Sequence, residues 1–327
     1  MKILSIVHRR AFSSYPHSAT QIESVATFLD RLGTPELRVE SSLGSTFIHP
    51  TAIVHPDTQI APGVQIGPYC IVGPDVQLKE NVVLKQHVVV DGATKVGANT
   101  IIFPFASIGG LSQDKKHNSS LNNSSSLEIG SNCVIREHVT INCGTNDGTT
   151  RVGDDCWILA TSHIGHDSQV GNRVVISNAT CLAGHVHIDD MAIIGGQVGI
   201  KQFVRIGRLA MIGGKSAIDG DVVPYGLAIG NRAKIAGLNL VGLRRLRVAR
   251  SEIKALLQTY RYVFGLDCQN SFAPSLALSR HESIVERAKE AKAFHSSSAS
   301  LSERLEEMIE FVEDSPKRER STLCTPH

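Results

Sequence analysis

The chain of 327 residues is 42% hydrophobic and 20% charged, with a formal net charge of +2 at pH 7. This length suits one elongated domain and a smaller one, and the near-neutral charge gives no indication of a nucleic-acid or membrane surface. No apolar stretch is long enough to span a bilayer, and the seven cysteines lack CxxC or zinc-knuckle spacing, so we expect free, mostly buried thiols.

The first 22 residues differ in composition from the rest of the chain. They are rich in basic residues and serine, and no acidic residue precedes Glu23. This composition is typical of an organelle transit peptide, and RAFSS at 10–14 resembles a mitochondrial processing site with cleavage after Phe12. The alternative is a tail without function. We expect import into the mitochondrial matrix, with the plastid as the competing destination, and a polar leader over 23–46.

From Phe47 to Val222 an aliphatic residue recurs at every sixth position, with two polar interruptions. A helix spaces apolar residues about 3.6 apart and an ordinary strand about 2 apart, so a strict period of six indicates short strands separated by turns. It is the hexapeptide signature of a parallel β-helix, in which three hexads make one coil. The repeated positions, which we expect to point inward, are Ile48, Val54, Ile60, Ile66, Val72, Leu78, Leu84, Val90, Val96, Ile102, Ile108, Ile129, Ile135, Ile141, Val152, Ile158, Ile164, Val170, Ile176, Leu182, Ile188, Ile194, Ile200, Ile206, Ile212 and Ile218.

The residue that follows the aliphatic one is often glycine, as at Gly67, Gly97 and Gly165. Glycine reaches positive φ without a steric cost, so we expect these glycines to form the corners of each coil. The residue two places before the aliphatic one is small or β-branched, which fits a crowded interior of short strands. The pattern predicts a β-helix over 47–222, with loops near 109–126 and 142–150.

The hexads stop near Val223, and we expect a linker over 223–241. From Gly242 apolar residues recur at helical spacing, which predicts a small helical domain over 242–314 that caps the prism. Residues 315–327 are polar, and we expect a frayed tail there. The predicted fold class is therefore mainly β: a parallel β-helix of hexapeptide repeats with a C-terminal α-helical domain.

Two histidines, His163 and His166, flank the inward position Ile164. His185 follows roughly one coil later, so we expect all three to lie close together on the outer wall. An isolated histidine on such a wall is more often a packing or surface residue than a catalyst, but three that converge favour a functional site. The ordinary pKa of histidine, about 6.5, suits a general base at neutral pH.

Four stretches resemble one family, the UDP-N-acetylglucosamine O-acyltransferases of lipid A synthesis. They are HIGHDSQVGN (163–172), LAGHV (182–186), IIGGQVGIKQF (193–203) and DVVPYGLAIGNRAKIAGLNLVGLRR (221–245). The resemblance covers about residues 47–265. It implies a left-handed β-helix and a homotrimer with active sites in the clefts between subunits. The implied reaction transfers a 3-hydroxyacyl group from acyl carrier protein to the 3-hydroxyl of UDP-N-acetylglucosamine, without a cofactor or a metal.

The resemblance also assigns roles by matching position. His166 matches the catalytic base, Asp167 matches the residue that orients it, and the backbone N–H of Gly184 matches the oxyanion donor. Gly214 matches the position that sets acyl length, and a glycine there leaves room for a long chain. The positions that match substrate-binding residues are Asp114, Lys116, His163, His185, Gln202, Asn239 and Arg245.

The sequence departs from the family pattern at substrate-binding positions. Lys201 stands where the family usually has histidine, Val241 where it often has an acid, and Asn142-Cys143 where it has His-Arg. These departures leave the matched base and oxyanion donor intact and concern substrate affinity and sugar identity. A basic cluster would suit an acidic carrier protein, although such a run is usually a solvated helix face. Its members, which we expect on the first C-terminal helix, are Arg244, Arg245, Arg247, Arg250 and Lys254.

Two alternatives come from other functional classes. Gamma-type carbonic anhydrases are also trimeric β-helices and bind zinc through three histidines, which His163, His166 and His185 would supply. Their ligand pair is typically separated by four residues, whereas two residues separate His163 from His166. The other alternative is a non-catalytic structural subunit built on an inherited prism.

Overall fold

The structure is a computed structural model that describes residues 45–115, 125–266, 283–297, 302–315 and 322–326. All of them belong to one compact unit, Val39–His327. The predicted transit peptide with its cleavage after Phe12, most of the predicted leader, and Lys116 lie outside the described residues.

The period of six builds three sheets of parallel strands, one for each side of a coil. Strands that are neighbours in a sheet are offset by one coil, so that Ile53 pairs with Ile71 and His163 pairs with Cys181. The parallel β-helix predicted from the spacing is therefore confirmed. The left-handed sense of its winding rests on the family resemblance.

We call the three sheets the first, second and third face. The first face contains Phe47–Ile48, Gln65–Ile66, Val83–Leu84, Ile101–Ile102, Val134–Ile135, Trp157–Ile158, Val175–Ile176, Ile193–Ile194, Met211–Ile212, Gly226–Ile229 and Lys234–Leu238. The second face contains Ile53–Val54, Ile71–Val72, Val89–Val90, Ser107–Gly110, Thr140–Asn142, His163–Ile164, Cys181–Leu182, Gly199–Ile200 and Ala217–Ile218. The third face contains Gln59–Ile60, Gln77–Leu78, Ala93–Val96, Ser126–Ile129, Thr149–Val152, Gln169–Val170, His187–Ile188 and Arg205–Ile206.

The repeated aliphatic residues form the core of the prism. Every one of them from Ile66 to Ile218 is buried. Ile48, Val54 and Ile60 are more exposed, because they belong to the first described coil, which stacks on a described neighbour on one side only. Stacking of coils, rather than any single coil, therefore excludes water from the interior.

The glycines after the aliphatic residues do not form the corners, and that expectation is wrong except at Gly109. The positive φ belongs to the third residue after the aliphatic one, such as Asp167 at 59° and His185 at 60°. The glycine is needed because neighbouring coils approach closely. A Cβ atom on Gly97 would lie 2.4 Å from the carbonyl carbon of Gly130 on the next coil.

Replacing Gly97 by alanine should therefore lower the free energy of unfolding by about 1–3 kcal/mol, because two backbones would have to separate. Thermal or urea unfolding measures the change. Gly199→Ala is the matched control, since a Cβ there meets nothing within 4 Å, and it should stay within about 0.5 kcal/mol of the parent chain. Equal free energies of unfolding for the two variants would show that the close approach of neighbouring coils is not what requires glycine at position 97.

The predicted linker over 223–241 contains a β-hairpin. Its strand Gly226–Ile229 pairs in parallel with Met211–Ile212, and Lys234–Leu238 pairs back on it antiparallel. The hairpin thus satisfies the backbone groups at the open edge of the first face. Four helices follow in the described ranges: α1 (Leu240–Arg245), α2 (Arg250–Val263), α3 (Ile284–Ser297) and α4 (Glu303–Asp314). Among the described residues, no helix has both the length and the apolar character needed to cross a membrane.

The expectation of a frayed tail is wrong for residues 322–326. Asp221 N–H donates to the carbonyl oxygen of Thr322 and Ile235 N–H to that of Thr325, at 2.6 and 3.0 Å. Cys324 is buried between these two contacts. The segment covers the last coil because that coil offers unpaired backbone groups, which a polar sequence can pair as well as an apolar one.

Candidate active site

His163 and His166 are placed by the alternation of the strand and by the corner after it. Ile164 is fully buried, so its neighbour His163 faces outward, next to Cys181 on the following coil. His166 lies in the turn that leads from the second face to the third face. The predicted convergence of these residues on one outer edge agrees with this arrangement.

His166 and Asp167 form a hydrogen-bonded pair in a nearly dry setting. The His166 side chain is 6% exposed, and its Nδ1 lies 2.8 Å from Oδ2 of Asp167. The Thr145 hydroxyl donates to the same Oδ2 at 2.7 Å, and the Thr145 N–H points at both carboxylate oxygens. With Asp167 ionised, Nδ1 carries the ring proton, and Nε2 is left as a proton acceptor.

The charge of Asp167 is maintained by its donors. Burial alone would raise the pKa of this carboxyl, but hydrogen bonds from Thr145 and His166 outweigh it and hold the pKa below its usual range.

Burial lowers the pKa of the His163 imidazole, and nearby His166 adds to the effect. His163 Nδ1 lies 2.7 Å from the Thr140 hydroxyl.

Asp167→Asn should lower stability by about 1.5–3 kcal/mol at pH 7, because it weakens hydrogen bonds to a charged group. The pKa of Asp167 is lower in the folded state than in the unfolded state. The contribution of its carboxylate to the free energy of unfolding is therefore fully present above the pKa of the unfolded state, about 3.9. It is lost as the pH falls through the lower pKa of the folded state. Urea unfolding at pH 7, 5 and 3.5 should therefore show a gap in the free energy of unfolding between the wild-type chain and Asp167→Asn, and this gap should narrow at the lowest pH. Asp57→Asn, on a side chain 80% exposed, should show little gap at any of them. A gap for Asp167→Asn that does not depend on pH would contradict the assignment.

His185 packs against the pair from the next coil. Its ring meets that of His166 edge to face, with centroids 5.0 Å apart, and stacks on Phe203 at 4.7 Å. Its Nε2 lies 3.8 Å from Oδ2 of Asp167.

Potential ligand atoms of His166, Asp167 and His185 all lie within 4.8 Å of one another. Among the described residues, this is the group that could hold a metal, and it differs from the three-histidine set of the zinc alternative. A cation that used Nδ1 and Oδ2 would displace the hydrogen bond between His166 and Asp167.

Gly184 lies directly against the His166 ring. A Cβ atom there would fall 2.3 Å from Nε2 and 2.4 Å from Cε1 of His166. Within the described residues, the Gly184 N–H donates to no backbone carbonyl. The position is thus suited to an oxyanion donor that acts beside the proton-accepting nitrogen.

A cavity of about 750 Å³ opens beside this edge. It brings together Asp114, His163, His166, Gly184 and Gln202 from the predicted set. Sequence reasoning did not assign Gln113, Lys115 or Cys181 to the site; for Cys181 the coil offset from His163 was an available signal. The lining residues are Gln113, Asp114, Lys115, Asn142, His163, Gly165, His166, Cys181, Leu182, Ala183, Gly184, Gly199, Ile200, Lys201 and Gln202. A second cavity of about 810 Å³ on the third face, next to Lys95 and Arg151, contains none of the predicted site residues.

Five of the predicted residues that the structure describes do not line the cavity. Two of them, Asp167 and His185, contact His166 directly, and the other three lie elsewhere. Asn239 caps α1, because its Oδ1 accepts from Gly242 N–H while its Nδ2 donates to the carbonyl of Leu209, both at 2.9 Å. Arg245 lies exposed in the last turn of α1. Gly214 lies at the corner between the first and second faces, where a Cβ atom would be 3.2 Å from the carbonyl oxygen of Gly196.

The basic cluster predicted for one helix is divided between two. Arg244 and Arg245 end α1, Arg247 lies in the turn with φ of 56°, and Arg250 and Lys254 belong to α2. All five side chains are exposed. The break follows from the left-handed conformation at Arg247, which ends a helix.

Comparisons with known proteins agree with both parts of this architecture. Residues 221–322 match the family model "Udp N-acetylglucosamine O-acyltransferase; Domain 2". Residues 45–80, 57–92 and 149–184 match the bacterial transferase hexapeptide model. These matches cover the C-terminal part and two portions of the prism.

Two curated relatives carry the name acyl-[acyl-carrier-protein]--UDP-N-acetylglucosamine O-acyltransferase. The Agrobacterium fabrum protein is 45% identical over 177 residues, which is 54% of this chain and 64% of the relative. The chain thus spans slightly less than two thirds of that relative's length. The Campylobacter concisus protein is 40% identical over 202 residues, 61% of this chain and 76% of the relative.

A solved structure of Arabidopsis UDP-N-acetylglucosamine acyltransferase is also similar. It is 32% identical, with a TM-score of 0.72, and the match covers 85% of this chain and all of the Arabidopsis chain. The family models thus match portions of the prism and the C-terminal part, and the structural match covers most of the chain. The chain belongs to the UDP-N-acetylglucosamine O-acyltransferase family.

Proposed function

We propose that the protein transfers a 3-hydroxyacyl group from acyl carrier protein to the 3-hydroxyl of UDP-N-acetylglucosamine, in the synthesis of lipid A precursors. The observation that carries the proposal is the hydrogen-bonded His166–Asp167 pair, whose histidine lines the cavity with Gly184 against its Nε2. The names of the relatives from Agrobacterium and Campylobacter support the choice of substrates.

The arrangement suits acyl transfer in two balanced steps. His166 Nε2 takes the proton of the sugar hydroxyl as the oxygen attacks the thioester carbonyl carbon, which gives a tetrahedral intermediate. The Gly184 N–H would donate to the oxyanion. The intermediate then expels the carrier thiolate, and His166 returns the proton to that sulfur. Asp167 holds the imidazole in the tautomer that leaves Nε2 free to accept and stabilises the imidazolium that forms.

We propose a homotrimer with the site completed between subunits. Apolar side chains on the second face and its corner support this idea, since Ile53, Tyr69 and Phe105 are 66%, 58% and 52% exposed. Such surfaces usually mark an interface. In a trimer, Asn239, Arg245 and Gly214 of one subunit would complete the cavity of another. The exposed cluster on α1 and α2 would suit an acidic carrier protein.

For the cellular location, we propose import into the mitochondrial matrix, with the plastid as the alternative. The composition of residues 1–22 supports an imported protein. The location can be tested by expressing the full chain with a C-terminal fluorescent fusion, beside a form that lacks residues 1–22. Cytosolic fluorescence of both forms would refute it.

The direct test is incubation of the purified protein with UDP-N-acetylglucosamine and 3-hydroxyacyl carrier proteins of several chain lengths. We expect an acylated nucleotide sugar, with long chains accepted because Gly214 presents no side chain. Gly214→Met should shift the preference toward shorter chains by about tenfold or more, since even one methylene in a hydrophobic pocket is worth roughly 1–3 kcal/mol. Mass spectrometry of the product identifies the chain. An unchanged length profile would remove Gly214 from the acyl pocket, and no product at any length would favour the structural alternative.

The zinc alternative has one observation in its favour, the grouping of His166, Asp167 and His185. Metal analysis of the purified protein, together with a carbonic anhydrase assay, separates the two functions. Stoichiometric zinc and hydration of carbon dioxide, without acyl transfer, would support the zinc enzyme.

A further inference from the structure

Asn142 carries a side-chain oxygen that the fold leaves without a donor. The residue ends the second-face strand Thr140–Asn142 and is 7% exposed. Its Nδ2 donates to the carbonyl oxygen of Leu111 at 2.8 Å and approaches that of Gly110 at 3.4 Å. Among the residues that the structure describes, Asn142 Oδ1 is the one buried side-chain oxygen or nitrogen with no hydrogen-bond partner.

The surroundings fix the orientation of this amide. If the amide were turned over, Oδ1 would face the carbonyl oxygens of Leu111 and Gly110, neither of which can donate. Oδ1 is therefore held as an acceptor. A buried acceptor without a donor is costly, so we expect the donor to come from whatever fills the adjoining space.

That space is the candidate active site. Asn142 lines the cavity, and strand pairing puts Ile141 beside Ile164. Asn142 therefore lies one coil, about 4.8 Å, below Gly165, the residue before His166. The same hexad position is Ala183 and then Lys201 on the next two coils. Because Gly165 and Ala183 have little or no side chain, this column is open, and a ligand beside His166 is within reach of Asn142.

We propose that Asn142 Oδ1 accepts a hydrogen bond from the acetamido N–H of the acceptor sugar and so selects sugars with an N–H beside the reacting hydroxyl. The inference rests on the proposed function and identifies the part of the substrate that this position reads. The amide N–H can only donate and Oδ1 can only accept, so each group requires the other. The acetamido group is attached to the ring carbon next to the one whose hydroxyl His166 would deprotonate.

A chemical double-mutant cycle tests this pairing. The kcat/KM of the wild-type chain and of Asn142→Leu is measured with UDP-N-acetylglucosamine and with UDP-2-deoxyglucose, which lacks the acetamido group. The other contacts of that group are lost in both proteins and cancel in the ratio. We expect Asn142→Leu to reduce the preference for the acetamido sugar by about tenfold, the value of one buried hydrogen bond.

The matched control is Asn99→Leu. In the wild-type chain Asn99 Nδ2 donates to Asn132 Oδ1 at 3.2 Å, and Asn99 does not line the cavity. It should keep the wild-type preference. Asn142→Ala serves as the second variant if thermal unfolding shows that leucine disrupts the fold.

An unchanged sugar preference in a folded Asn142 variant overturns the proposal, as would an equal loss in Asn99→Leu. Equilibrium binding of UDP-N-acetylglucosamine to the wild-type chain is measured in parallel. A wild-type protein that neither binds nor acylates this sugar would refute the proposed function itself, and the Asn142 pairing with it. Binding and transfer by the wild type with no change in preference would refute the pairing alone.

Discussion

His166→Ala should lower kcat/KM for acyl transfer by about 10²–10⁴-fold, the usual contribution of a positioned general base. Nε2 is the atom that would accept the hydroxyl proton, and the three atoms nearest to a Cβ built on Gly184 all belong to the His166 ring. Binding of UDP-N-acetylglucosamine should survive, because the remaining cavity wall is unchanged. The rate and the binding constant are measured on the same preparation, after thermal unfolding has shown that the variant is folded.

The matched control is His187→Ala, which removes a histidine from the third face, where its side chain is 50% exposed. It should change the rate less than about threefold, as surface substitutions rarely matter. A His166→Ala protein that keeps a tenth of the wild-type rate would exclude His166 as the base.

Gly184→Ala should reduce kcat by at least about 10²-fold, because small displacements of a catalytic group are that costly. The added methyl would fall 2.3 Å from Nε2 of His166, so the imidazole must move and its hydrogen bond to Asp167 must bend or break. Alanine keeps the backbone N–H, so the oxyanion donor is not removed. The loss would therefore measure the position of the base rather than the donor.

Gly199→Ala separates this effect from simple crowding. It adds the same methyl to the same cavity wall, where nothing lies within 4 Å, and it should cost far less in kcat. Comparable losses in both variants would show that space in the cavity, and not the position of His166, limits the rate.

The sequence predicted the features that depend on the repeat. A single period of six predicted the strands, the inward residues and the stacking of coils, because each coil copies the one below. The same regularity predicted that His166 and His185 would meet. It failed for the glycines, since periodicity shows that a small residue is required but not whether a corner or a neighbouring backbone requires it.

Features outside the repeat could not be predicted from it. Thr145, the main donor to Asp167, lies 22 residues earlier in the chain, in a segment that interrupts the hexads. The amide of Asn142 is fixed by carbonyls 31 and 32 residues away, across the other interruption. Residues 322–326 dock largely through backbone hydrogen bonds, which leave no side-chain pattern in the sequence.

The height of the site in the stack has a consequence for its motions. The strand His163–Ile164 is sixth of nine along the second face, with coils on both sides. In a linear array each coil is held by its neighbours, so local opening begins at the ends and becomes rarer toward the middle. Amide hydrogen exchange should be fastest near Phe47 and slowest around Ile164. The His166–Asp167 pair therefore lies in the coils where local opening is rarest and disturbs its geometry least.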